Sequence, residues 1–143
     1  MLTLFLVGMA GTGFTSGTQE EAKAMVENAI TFLKANGKEK ALVEFNNPKG
    51  KFVNGEIYIV ALDLNATVLA HPTSPKLVGV NTLEVPDPDG KFFRKDIQKL
   101  AKTQGSGWVD YKFKNPKTNK IESKTSYIKK VDDMILLCGI YKQ

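Results

Sequence analysis

His71 is the only histidine in the chain and Cys138 the only cysteine. They stand far apart in sequence, and nothing else in the chain completes a nucleophile–base pair, so no catalytic constellation is expected. One cysteine excludes an internal disulfide and any cysteine-built zinc or iron–sulfur site, and no metal or other cofactor is expected. The remaining polar groups are suited to binding. Lysine offers a point charge fitted to a carboxylate, and tyrosine hydroxyls offer directional hydrogen bonds. Lys124, Tyr111 and Tyr127 fall in two neighbouring strand patterns, and Tyr58 falls in a third. Each has a plain alternative. Lys124 is one of nineteen lysines, most of them solvated. Trp108, the only tryptophan, either walls a pocket or packs. His71 is either a ligand contact or a strand-end histidine held by backbone. Asp87, Asp89 and Gly90 have the spacing of a partial calcium loop without its downstream glutamate. They read better as a turn with an aspartate capping the next helix. Gly8, Gly11 and Gly13 lack the lysine and helix context of a phosphate loop.

These groups must be positioned by one domain, because 143 residues suffice for a single core. A hydrophobic share of 42% and a charged share of 24% exclude a disordered, collagen-like or multi-span chain. Twenty basic against fifteen acidic residues give +5. The charge is uneven: residues 1–90 carry −3 and residues 91–143 carry +8. Nineteen of the twenty basic residues are lysine, Arg94 being the exception. Nucleic-acid recognition leans on arginine's planar fork, so no nucleic-acid partner is expected and the lysines read as a solvated face. Residues 1–16 contain no charge. The apolar stretch Leu2–Ala10 is too short for a span of about 20 residues and has the length of a signal-peptide core, with small residues after it. A basic leader is missing, which leaves a tag or a buried strand as alternatives. We expect residues 1–16 to be a secretory signal or its remnant, residues 17–143 to be one domain, and the location to be periplasmic or secreted. No later segment is long enough to span a membrane.

From residue 17 the apolar period first matches a helix. Ala22, Met25, Val26, Ala29, Ile30 and Leu33 predict a long helix from about Thr18 to Ala35, ended by Asn36–Gly37. A short second helix is expected over Lys38–Phe45. The period then changes to two. Strands are predicted at Ile57–Leu62, Thr67–Ala70, Trp108–Lys114, Lys124–Val131 and Met134–Tyr141, with a proline-rich loop over 72–90 and a helix over Lys91–Gln104. Ile57–Leu62 and Met134–Tyr141 are apolar on both faces and so belong in the middle of the sheet. Counting the five strands in sequence, the expected spatial order is 2-1-5-4-3. The long helix should cover one face, and the helix and loops of 72–107 the other. This is an α+β fold with a five-stranded antiparallel sheet.

The phrases AHP (Ala70–Pro72), LVGVN (Leu77–Asn81), DPDGKFF (Asp87–Phe93), GSGWVDYKFKNP (Gly105–Pro116), KTSYIKKV (Lys124–Val131) and CGIY (Cys138–Tyr141) carry a resemblance. In order and spacing they resemble the single Cache domain, a PAS-like extracytoplasmic sensor family. The resemblance implies a PAS-like sheet, which agrees with the strand order derived above. It implies a pocket for a small molecule, often a short organic acid, with ligand contacts from His71 and Lys124. Tyr111, Tyr127, Trp108 and Tyr58 join them as candidates.

The expected function is therefore binding or sensing of a small organic anion, not catalysis. Since no signalling module follows Tyr141, a stand-alone secreted form is expected, working with a separate membrane sensor kinase, chemoreceptor or transporter. The rival readings are an interaction module with a closed pocket, and a haem carrier or enzyme built on His71. As a strand residue, Lys124 is expected to contribute little to the core.

Overall fold

The computed structural model describes residues 17–142; the expected signal segment, residues 1–16, lies outside the described residues. The first helix, α1 (Gln19–Asn36), begins at a capping box. Glu21 N donates to Thr18 Oγ1 at 3.1 Å and Thr18 N donates to Glu21 Oε1 at 2.8 Å. These bonds satisfy two donors that a helix start leaves without partners. Its buried stripe is Ala22, Val26, Ala29, Ile30 and Leu33, the face that the sequence period predicts. Gly37, at φ +88°, ends α1 and turns the chain directly into α2 (Lys38–Asn46).

The sheet has six antiparallel strands: β1 (Val53–Asn54), β2 (Ile57–Asp63), β3 (Val68–Ala70), β4 (Ser106–Lys114), β5 (Ile121–Val131) and β6 (Met134–Tyr141). Their order is β1-β2-β6-β5-β4, and β3 pairs with β2 along the edge that β1 also uses. The five expected strands thus stand in the expected order. The addition is β1, two residues that pair Val53 with Tyr58 and Asn54 with Ile57. So short a strand has no period to read. The proline-rich segment is also more ordered than a loop. It makes a single 3-10 turn at Pro75–Leu77 and then runs beside β3, with Val68 N donating to Val80 O and Gly79 N donating to Val68 O. This covers an edge that would otherwise offer free backbone groups.

Two cores lie on the two faces of this sheet. Under α1 and α2 sit Ile59, Ala61, Met134, Leu136 and Cys138 with the helix stripe. On the other face α3 (Phe93–Thr103) packs Phe93, Ile97 and Ala101 against Val60, Val109, Ile128 and Leu137. The alternation along β6 shows why its sequence is apolar throughout: Met134, Leu136 and Cys138 face one core, Ile135 and Leu137 the other. The helix expected from Lys91 starts at Phe93, and Asp87 does not cap it. Asp87 Oδ1 instead accepts from Asp89 N and Lys91 N, and Oδ2 accepts from Lys112 N on β4, each at 2.9 Å. Asp87 therefore ties the turn before α3 to the sheet.

The Thr18 capping box is a clear local contribution to stability. We expect Thr18→Ala to lower it by about 1 kcal/mol. Urea denaturation should show an earlier midpoint with an unchanged slope.

Candidate functional site

The α3 face of the sheet is not fully packed. A small cavity remains between β2, β4, β5 and β6 of the sheet, α3 and the residue after β3. Strand parity decides which side chains reach it. Lys124 and Ser126 on β5, Tyr111 and Phe113 on β4 and Tyr58 on β2 share that side, and His71 and Arg94 close it. Its free volume is about 20 Å³. One water needs roughly 10–15 Å³ on such a measure, so the space suits a very small guest.

Lys124 is only 4% exposed. This rules out the solvated alternative for it. Its Nζ donates to Tyr58 OH at 2.9 Å and to Tyr141 OH at 3.3 Å. The rings of Tyr58, Tyr141 and Phe113 surround it at 4.5, 4.6 and 5.1 Å from Nζ to centroid. No carboxylate lies within ion-pair distance of it among the described residues. Burial works against the ammonium, and the phenol oxygens of Tyr58, Tyr111 and Tyr141 outweigh it, so Lys124 stays protonated above its ordinary range. Burial raises Tyr58 in turn, and the Lys124 charge pulls it below its ordinary value. An ammonium has three donors, and two are used. The third has no partner among the described residues.

Gly139 on β6 makes room for this lysine. A Cβ there would press into Lys124 Cε and Ser126 Oγ. Ser126 Oγ and Tyr111 OH share a hydrogen bond at 2.7 Å, and burial raises the Tyr111 pKa. The Tyr111 ring is stacked on Phe93 at 4.0 Å and 2°.

His71 follows β3 and is 3% exposed. Its Nδ1 accepts from Ser74 N at 3.1 Å, which places the ring proton on Nε2. Burial, with the Lys124 and Arg94 charges, lowers its pKa to about 3. The ring is therefore a neutral donor at neutral pH. Asn46 on α2 fixes this corner: its Oδ1 accepts from His71 N and its Nδ2 donates to Leu69 O.

Arg94 is the residue the sequence reading passed over. It is 8% exposed, lies over the Phe93 ring at 4.1 Å, and has one hydrogen bond, from Nη1 to Val85 O at 3.5 Å. It too has no carboxylate partner among the described residues. Burial lowers its pKa and Tyr111 partly opposes this; a guanidinium starts so high that it remains charged. The signal was present in the sequence. Arg94 is three residues before Ile97 and seven before Ala101, which places it on the apolar face of α3.

Two of the six expected residues lie elsewhere. Tyr127 and Trp108 pack together at 5.4 Å on the α1 face, with Lys23 Nζ 5.5 Å from the Tyr127 ring. Their grouping with Lys124 and Tyr111 is corrected by parity. Three residues along a strand reverse the face, so Tyr127 opposes Lys124 and Trp108 opposes Tyr111. His71, Tyr111, Lys124 and Tyr58 are brought together.

The PAS-like sheet, with its small cation-lined cavity, is a fold that solved structures share. A periplasmic sensor domain of a chemotaxis protein superposes with a TM-score of 0.69 at 23% identity, covering 87% of this chain and 90% of that one. A methyl-accepting chemotaxis protein from Vibrio parahaemolyticus gives a TM-score of 0.74 at 22% identity, covering 86% and 87%. A Cache chemosensory domain, solved for the structural basis of its carboxylic acid recognition, gives 0.68 at 26% identity, covering 87% and 88%. The chain belongs to the single Cache domain 2 family, which matches residues 6–143. The methyl-accepting chemotaxis protein McpP of Pseudomonas putida is 33% identical over 81 residues, which is 55% of this chain. This chain spans about 15% of that protein's length. No helix among the described residues is long and apolar enough to cross a membrane.

Two outcomes follow from the site's geometry. Between about pH 6.5 and pH 3 the unfolded chain takes up a proton at His71 that the folded chain refuses. The His71 contribution is thus complete above about pH 6.5 and declines on acidification, by up to about 1.4 kcal/mol per unit. Chemical denaturation of parent and His71→Asn from pH 7 to pH 4 should show the smaller acid loss in the variant. Equal losses would mean that the ring is not held neutral. Gly139→Ala should displace Lys124 and weaken binding of any anion at the cavity about tenfold or more. Calorimetry checks it.

Proposed function

We propose that this domain binds a short organic acid on the α3 face of its sheet and presents the bound state to a membrane partner. One observation carries the reading. Two buried cations, Lys124 and Arg94, border the same small cavity with no carboxylate paired to either among the described residues. Buried charge is costly without a partner, so such a pair favours an anionic guest. The third Lys124 donor, the Arg94 fork and His71 Nε2–H can together meet a carboxylate, and the Tyr58 and Tyr141 hydroxyls orient the first of these. Aromatic rings supply the apolar wall around a one- to two-carbon tail.

Support for the acid class also comes from the carboxylic acid recognition of the similar Cache chemosensory domain. Family membership supports sensing, and the periplasmic sensor relative supports a site outside the cytoplasm. Residues 1–16 serve, in this reading, as the export signal of the domain at 17–143. The partner is a chemoreceptor, a sensor kinase or a transporter, and the bound state is handed on by contact.

The test uses isothermal calorimetry with acetate and propionate on three proteins. Lys124→Met removes the charge and keeps the volume. Losing a charge-assisted hydrogen bond of roughly 1.5–3 kcal/mol weakens binding by about 10- to 150-fold. Its melting temperature should hold or rise, because a buried cation exchanged for an apolar chain is often neutral or stabilising. Lys124→Ala is the poorer probe, since it leaves a void in addition to the two phenols that lose their donor in either variant. Lys117→Ala, in the β4–β5 turn, should bind as the parent does. Equal affinity in Lys124→Met and parent would overturn the assignment.

A further inference from the structure

Beyond the closed cavity lies an open groove of about 290 Å³, and the two share a wall. Phe93, Arg94 and Phe113 line both. The outer side of the groove is apolar: Leu77, Val85, Pro86 and Ile121 border it, with Val85 43% and Ile121 51% exposed. Its rim carries Lys114, which has no ion pair among the described residues. One layer of side chains thus separates this exposed apolar surface from the cation-lined cavity.

We infer that Phe113 and Arg94 form the partition that limits ligand chain length, and that the groove is a tail site for longer aliphatic acids once the partition is removed. The inference rests on the proposed function and names what sets the size of its ligand. Phe113 is the critical member. Its ring stands 5.1 Å from Lys124 Nζ, stacks beside His71 at 5.8 Å and lines both spaces, so a chain running from a carboxylate held at Lys124 toward the groove has to pass this ring. Phe93 is fixed by its tight stack on Tyr111. Arg94 is held to the groove wall only through Val85 O, at 3.5 Å. The inner space of about 20 Å³ leaves no room for a long chain, whereas the groove of about 290 Å³ does.

The experiment compares acetate, propionate, hexanoate and octanoate by calorimetry on the parent, Phe113→Ala and Phe113→Ala with Val85→Asp. The parent should bind propionate far better than octanoate. In Phe113→Ala the octanoate-to-propionate affinity ratio should rise about tenfold or more, the gain expected from burying two methylenes. Val85→Asp should abolish that gain by placing a charge in the groove. Phe113→Leu should move the ratio the same way by less, and it decides the matter if Phe113→Ala is unfolded. A parent that binds octanoate as tightly as propionate overturns the inference. So does an unchanged ratio in the Phe113 variants, or a gain that survives Val85→Asp, which would place the tail in the space left by the ring. Binding of no acid by the parent removes the proposed function and this inference together; short-acid binding with no gain removes the inference alone.

Discussion

A buried ammonium held by phenol oxygens, with no carboxylate to neutralise it among the described residues, is the constraint around which this domain is arranged. Lys124 reaches from β5 into the space between the sheet and α3, and Tyr58 and Tyr141 receive two of its three donors. Aromatic faces complete the enclosure, which is a favourable but incomplete substitute for water around a cation. A carboxylate from the chain itself would have closed the site. Among the described residues neither Lys124 nor Arg94 has such a partner.

Several unremarkable residues exist in this arrangement to hold that lysine in place. Gly139 leaves the space its chain occupies. Asp87 fixes the turn before α3 to Lys112 N, between Tyr111 and Phe113, and so sets where Phe93 and Arg94 meet the sheet. Asn46 fastens the chain at His71 to α2 on the other side of β3. These contacts are backbone-directed and local. They fix the wall of the cavity to the elements around it.

The division of the sheet into two faces also divides its tasks. The α1 face, with Met134, Leu136, Cys138 and the packed pair Trp108 and Tyr127, is a closed hydrophobic core. There Cys138 is buried, and burial pushes its thiol up to about 12, so it behaves as an apolar core residue. The α3 face gives up part of its packing to the cavity. Membership of the single Cache domain 2 family accords with that division, and the likeness to sensor domains of chemotaxis receptors covers the same sheet.

The sequence by itself determined the helices, the five main strands and their order. Continuous apolar runs at Ile57–Leu62 and Met134–Tyr141 can be satisfied only in the middle of a sheet covered on both sides. It also held the motifs on which the family resemblance rests, and these grouped His71, Tyr111 and Lys124 before any coordinates. Strand parity, equally present in the sequence, would have excluded Tyr127 and Trp108, and helical spacing would have added Arg94. What only the tertiary structure decided is the state of each charge. Nineteen lysines are alike as letters; burial of Lys124 arises from the register that sets β5 against β6, where Gly139 lies beside it. The neutral ring of His71 likewise follows from two cations that the fold brings near it from β5 and α3. Desolvation and proximity are properties of packed chains, and no local pattern in the sequence encodes them.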